Sequence, residues 1–280
     1  MPNILMFHRI LPKDQIDLRN AYSSIGTLIS LEFFEALLER LKSLSFEFIS
    51  VSEIETTKDR QNRVVLTFDD GYTDNLEFVL GSLERFNVKA TFYPVVNPCR
   101  YKNVLPLDLY YQCIDEQIMD EAVRYDFIAG TTKKEFYWKD QNEQLKMIHR
   151  CFGYVPNECR VSYLDSQQLK YIHSLGHEIG SHGLTHTLSL ADSMSEESVL
   201  QEMKESKKWL EEIIGAEISS YAFPANCYNL KMIELAKDAG YKNTCLVTRK
   251  EEGTEALPSY ERIFIKTNSI DHIVNQLKLT

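Results

Sequence analysis

The stretch that most constrains the fold is Val64-Val65-Leu66-Thr67-Phe68-Asp69-Asp70-Gly71-Tyr72. Its first five residues are apolar or β-branched and read as a buried strand. The strand runs into two adjacent carboxylates and a glycine, and Thr73 to Phe86 follows with helical spacing. A buried strand that feeds a helix through a polar turn begins a parallel β/α unit. Two like charges side by side at a strand end are costly unless a cation answers them, and a metal ion with oxygen ligands is one candidate. An Asp-Asp-Gly turn with a helix cap is the plainer alternative, and this stretch alone leaves both open.

A second stretch, Gly176 to His186, repeats the pattern of a short apolar run leading into a polar turn. His182 and His186 are four residues apart, which on one helical turn puts both imidazoles on one side. Two histidines plus a carboxylate form a common catalytic zinc set with positions left for water and substrate. Two solvated histidines would have the same spacing, so the strand-end carboxylates are what make the pair specific.

The rest of the chain reads as strands alternating with helices. Strands are expected at Asn3–Phe7, Phe46–Val51, Val64–Phe68, Lys89–Val96, Ile179–Ser181, Ser219–Phe223, Asn243–Val247 and Arg262–Ile265. Helices are expected at Leu31–Leu44 with Ser30 as N-cap, Leu164–Leu175 capped by Asp165 or Ser166, a long helix after the Ser193-Met194-Ser195-Glu196 capping box, Leu230–Ala239 and Ile270–Leu277. About eight strands alternating with helices fit a (β/α) barrel. Residues 12 to 29 read as a loop, a flap over the site. Residues 98 to 160 break the alternation and read as a helical insertion, with helices at Leu107–Val123 and Asn142–Phe152, inside one domain covering 1–280. Between these helices, Phe136-Tyr137-Trp138 is either core packing or a wall on which a sugar ring could stack. The first strand ends on His8, which is either a hydrogen-bonded structural histidine or a site residue at the C-terminal mouth of a barrel.

At this point the motifs carry a resemblance. Thr67-Phe68-Asp69-Asp70-Gly71-Tyr72 resembles the first signature of the polysaccharide deacetylases, the NodB-homology family, and Ser181-His182-Gly183-Leu184-Thr185-His186 resembles the second. Asn87 to Val95 and Tyr163 to Ile179 are similar too. The resemblance implies a distorted, incomplete (β/α) barrel and removal of an N-acetyl group from an amino sugar. It implies Asp70, His182 and His186 as metal ligands and Asp69 as general base. The metal is expected to be Zn2+, with Co2+, Ni2+, Mn2+ or Fe2+ as alternatives. It gives the oxyanion to the backbone N–H of Ala225 and puts Tyr228 beside the substrate. Adjacent residues point in different directions, so one carboxylate can ligate while the other faces a water.

The chain also departs from the pattern. In Tyr221-Ala222-Phe223-Pro224-Ala225-Asn226-Cys227-Tyr228, Ala222 stands where the family has an arginine, Ala225 replaces an aromatic and Asn226 a glycine. Support of Asp69 is then open, with Arg9 and Arg262 as substitutes. Gly183 replaces a hydroxyl residue. The late Leu-x-His signature is missing from Tyr260–Lys266, while Leu5-Met6-Phe7-His8 has that form at the other end of the chain. This is similar to a circularly permuted branch of the family and implies His8 as general acid. His149, His173 and His177 read as helix-surface or structural residues, and His272, within the last helix, as structural.

The formal charge of -10 argues against a nucleic-acid or general membrane-surface binder. There is no apolar run long enough to span a membrane, so membrane contact would be peripheral. The start has no basic, apolar leader, and the six cysteines show no paired spacing. A cytoplasmic enzyme acting on a nucleotide sugar, a lipid-linked sugar or another amino-sugar glycan is the expectation, on the way to surface polysaccharide or lipopolysaccharide. Removal of N-formyl from a lipid-linked amino sugar and a non-catalytic carbohydrate-binding relative are the alternatives. A haloacid-dehalogenase phosphatase would need Asp-x-Asp, which Phe68-Asp69-Asp70 does not supply.

Overall fold

The computed structural model describes residues 3–57, 62–191, 193–247, 257–266 and 269–277. The expected strand at the start is present as β1 (Asn3–Phe7), followed by β2 (Arg9–Leu11), α1 (Ala21–Ile25), β3 (Leu28–Ser30), α2 (Leu31–Ser43) and β4 (Glu47–Phe48). The strand of the opening motif is β5 (Arg63–Asp70), buried along its whole length. After it come α3 (Leu80–Arg85), β6 (Thr91–Pro94) and five helices in succession: α4 (Val96–Tyr101), α5 (Pro106–Glu116), α6 (Glu121–Ala129), α7 (Thr131–Tyr137) and α8 (Gln141–Phe152). The chain then returns through α9 (Ser166–Ser174), β7 (Glu178–Ile179), α10 (Glu196–Ile214), β8 (Ser220–Ala222), α11 (Leu230–Asp238), β9 (Asn243–Leu246), β10 (Ser259–Phe264) and α12 (Ile270–Gln276).

The main sheet runs β7-β6-β5-β1-β10-β9-β8, with β4 beside the start of β5, and its pairings are parallel. A parallel bridge between Ser181 and Tyr221 joins its two edges. The Ser181 N–H donates to Ser220 O at 3.0 Å, and the Ala222 N–H donates to Ser181 O at 2.9 Å. The result is the distorted (β/α) barrel that the sequence implied. Parallel strands covered on both faces need apolar residues throughout. Phe7, Phe68 and Phe92 stack across β1, β5 and β6 at 5.4 and 5.0 Å beneath the helices. Ile4, Val65, Tyr93, Ala222 and Cys245 fill the inside.

Several expectations need correction. Residues 12 to 29 are not one loop, because α1 lies within them and β3 begins in them. β2 and β3 form a separate two-stranded parallel sheet. Leu107–Val123 is not one helix. Gln117 is extended (φ −100°, ψ 139°), and Asp120 starts α6 by accepting from the Val123 N–H at 2.9 Å. Turn-forming Asp120 outweighs the helical spacing around it. The helix after Gly71 opens with a π-helical turn over Asn75–Val79 before α3. The cap of α10 is Ser195, which accepts from the Ser198 N–H, so Ser193 is not the capping residue. The short strand expected at Ile179–Ser181 ends at Ile179. By contrast, Ser30 caps α2 at 3.1 Å, and Asp165 and Gln168 form a reciprocal capping box on α9. Every cysteine is a free thiol. No helix of the described residues is long and apolar enough to cross a membrane.

Candidate active site

The parallel strands point their C-terminal ends at one mouth, where barrels of this kind gather polar residues. A cavity of about 350 Å³ opens there. Period-two alternation turns Met6 and His8 at the end of β1, and Asp69 on β5, to the same interior side. All three line the cavity. Arg262 reaches it from β10, which pairs directly with β1.

Asp69 is 2 % exposed and is held by Arg262 in a two-pronged ion pair, Nη1 to Oδ1 at 2.7 Å and Nη2 to Oδ2 at 2.9 Å. Arg262 also donates to Thr67 Oγ1 at 3.3 Å. Burial raises the Asp69 pKa, but Arg262, His182 and His8 outweigh it and hold the carboxyl below its usual range. Arg262 therefore fills the gap left by Ala222. Arg9, the other substitute considered, is engaged with Asp74 at 2.8 Å.

Asp70 follows with φ of 73°, a left-handed conformation uncommon for a non-glycine residue. Gly71 continues the turn at φ 81°, and a Cβ there would lie 2.9 Å from Pro94 Cβ. Asp70 Oδ1 is buried and makes no hydrogen bond. It faces His182 Nε2 at 3.4 Å and His186 Nε2 at 3.5 Å. The ligand atoms of these three residues lie within 4.8 Å of one another. A buried orphan carboxylate oxygen converging with two imidazole nitrogens fits a divalent cation. His182 Nδ1 lies 2.8 Å from Ala222 O. A carbonyl only accepts, so Nδ1 carries the proton and Nε2 keeps its lone pair for a metal. Burial pushes the Asp70 pKa up, yet the two histidines carry it well below the ordinary carboxylate value. Burial lowers His186 to about 4, whereas in His182 the pull of Asp69 and Asp70 overcomes burial and raises it.

The loop that carries these histidines is held from α10. Glu202 accepts from the N–H groups of Leu184 at 3.0 Å and Thr185 at 3.2 Å, and from Thr185 Oγ1 at 2.8 Å. His186 has φ of 62°. Backbone strain of this kind gathers at sites that hold side chains in fixed directions.

His8 lies in the cavity wall with Nδ1 buried and unpaired. Burial lowers its pKa, and Asp70 and Asp69 oppose that shift. Its carbonyl accepts from Asn75 Nδ2 at 3.2 Å, so the π-helical turn fixes the end of β1. Ala225 also lines the cavity, in a turn where it and Asn226 both have positive φ, 48° and 53°. The turn is closed by the N–H of Asn226 to Phe223 O at 3.1 Å and that of Cys227 to Pro224 O at 3.0 Å, and neither bond uses the Ala225 N–H. Tyr228 does not line the cavity. Its ring packs beside Phe223 at 5.5 Å, 4 % exposed, because the turn carries the chain away after Asn226. His177 is structural: it is buried and accepts from the Ala90 N–H at 3.3 Å. The aromatic run divides: Phe136 is core, Trp138 is half exposed, and Tyr137 lines the cavity.

Missing from the sequence reading was a group on the helical side of the cavity, comprising Tyr22, Tyr72, Tyr111 and Lys133. Buried Asp108 accepts from the hydroxyls of Tyr22, Tyr72 (2.9 Å) and Tyr163. Tyr72, two residues after Asp70, was visible in the motif. The other partners are far apart in sequence and gave no signal.

A parallel barrel with an Asp–His–His cluster and an arginine-held carboxylate at its C-terminal mouth defines a hydrolase-type site. The polysaccharide deacetylase family model matches residues 56–244, and the chain belongs to that family. Among solved structures it is similar to the Streptococcus pyogenes deacetylase PplD in complex with acetate, at 18 % identity and TM-score 0.67, covering 99 % of this chain and 98 % of that one. It is also similar to IcaB from Ammonifex degensii, at 14 % identity and TM-score 0.65, with 98 % and 95 % covered. A de-N-acetylase from Aggregatibacter actinomycetemcomitans aligns over 98 % of both chains at 16 % identity and TM-score 0.62. Comparison with curated proteins finds no match.

Proposed function

We propose that the protein is a metal-dependent hydrolase that removes an N-acetyl group from an amino sugar. The observation that carries this reading is the convergence of Asp70, His182 and His186 beside the Asp69–Arg262 pair in one cavity. A divalent cation, Zn2+ by the nitrogen-rich donor set, would polarise the amide carbonyl and acidify a water there. Asp69 accepts the proton from the attacking water, with Arg262 fixing the direction of its carboxylate. The Ala225 N–H donates to the carbonyl oxygen as negative charge builds on it. His8, in the cavity wall beside Asp69 and Asp70, delivers a proton to the departing amine nitrogen. Family membership supports a polysaccharide or its amino-sugar precursor as substrate. We assign the reaction to the build-up of surface polysaccharide or lipopolysaccharide in the cytoplasm.

The test is acetate release from N-acetylglucosamine oligomers by zinc-loaded protein, beside Asp69→Asn. Loss of turnover with metal retained in the variant is expected, on the order of 10²–10⁴-fold for a general base. Full activity of Asp69→Asn would remove Asp69 from the mechanism.

A further inference from the structure

The cavity has a second polar group that the deacetylation chemistry does not use. Lys133, on α7, lines the cavity but is only 4 % exposed. Its Nζ makes no hydrogen bond and no ion pair among the described residues. It lies over four aromatic rings, with centroids at 3.9 Å (Tyr111), 4.2 Å (Tyr137), 5.1 Å (Tyr110) and 5.6 Å (Phe136). Its neighbour Lys134 faces solvent, so burial is specific to Lys133.

A buried ammonium without a counter-charge is unfavourable. Aromatic faces offset part of that cost, because their quadrupole attracts a cation. They supply no anion. The carboxylate whose field reaches Lys133 is Asp108, and it is already bound by three tyrosine hydroxyls. The Tyr111 hydroxyl is likewise buried without a well-formed hydrogen bond, with the Tyr137 hydroxyl beside it. Two donors from α5 and α7 thus await an acceptor in the cavity that also contains Asp69 and Asp70.

We propose that Lys133, with the Tyr111 hydroxyl, forms a subsite for an oxyanion carried by the substrate, so that this enzyme acts on an acidic amino sugar. The oxyanion is a sugar phosphate or a sugar carboxylate, both of which accept from an ammonium and a phenol. The inference rests on the reading of this cavity as the substrate site. Burial favours the neutral amine of free Lys133, so docking of the anion draws a proton onto it. Lys133 contacts the bound sugar away from the scissile amide and sets specificity.

The test is calorimetric titration of the zinc-loaded enzyme with three probes, N-acetylglucosamine, N-acetylglucosamine 1-phosphate and N-acetylmuramic acid, with acetate release followed in parallel. At least one charged probe should bind about tenfold or more tightly than the neutral sugar, the size expected of a charge-assisted hydrogen bond. Which probe gains separates phosphate from carboxylate. Lys133→Met should erase the gain of the charged probe over the neutral sugar. Without ligand, Lys133→Met should melt no lower than wild type, since the replacement removes an unpaired buried amine.

Equal wild-type affinity for charged and neutral probes would overturn the proposal, and that result needs no variant. A gain that persists in Lys133→Met would place the anion on the metal and overturn it as well. A clearly lower melting temperature of the variant would assign the lysine to packing. Failure to release acetate from any probe would count against the deacetylase reading and leave the binding result standing.

Discussion

Two walls of one cavity bury charge in opposite ways. On the barrel wall each carboxylate faces a positive or metal-ready partner: Asp69 has Arg262, and Asp70 has two imidazoles. On the helical wall Asp108 is bound by neutral tyrosines and Lys133 by aromatic faces. Charge that is paired in advance suits chemistry, because the groups must not reorganise as the reaction proceeds. A buried titratable group left without a counter-ion suits recognition, because a charged ligand completes it.

The largest effect that would break this contrast concerns the cluster of Asp70, His182 and His186. His182→Ala is expected to lose bound metal and turnover together, measured by elemental analysis and acetate release. Wild-type metal content in that variant would remove His182 from the ligand set. Next in size is Arg262→Met, which leaves Asp69 buried without its counter-charge. Denaturation should show a loss of about 3–5 kcal/mol. An unchanged unfolding midpoint would mean that the pair is not the anchor of the barrel wall.

Glu202→Ala should cost about 1–3 kcal/mol and weaken metal retention, because it frees the N–H groups of Leu184 and Thr185. Normal metal affinity in this variant would show that the histidine loop is held by other contacts.

The mildest effect sharpens the helical side. Burial raises the Asp108 pKa from 3.8 to about 7, against the lowering pull of the Tyr22 and Tyr72 hydroxyls. The folded state then holds a proton that the unfolded chain releases. This contribution is fully present below about pH 4 and is lost as pH rises through about 7. Wild type should therefore melt a few degrees lower at pH 8 than at pH 5, at about 2–4 °C per kcal/mol for a domain of this size. Asp108→Asn should flatten that decline. An equal slope in both proteins would assign the pH dependence elsewhere.

The two walls also differed in how far they could be read in advance. Asp69, Asp70, His182 and His186 sit in short motifs, since strand-end turns fix their direction through neighbours in sequence. Arg262 was one of two arginines on equal footing. What decided for it was the pairing of β10 with β1, which turns Arg262 and Asp69 into the same interior. The Lys133 environment was illegible, because Thr131-Thr132-Lys133-Lys134 gives no sign of which lysine is inside. Tyr228 was misplaced for the complementary reason: two consecutive left-handed residues at Ala225 and Asn226 redirect the chain, and an alanine rarely announces positive φ.

The sequence by itself determined the alternation of strands and helices, the caps at Ser30 and Asp165, and the two motifs that supply Asp70, His182 and His186. These depend on periodicity and on contacts a few residues apart. Only the tertiary structure decided which cation holds Asp69, which carbonyl orients His182, and that Lys133 is enclosed by tyrosines and a phenylalanine. Each of those depends on segments up to 193 residues apart in the chain meeting at one mouth, and the order in which strands pair is set by the packing of the whole barrel.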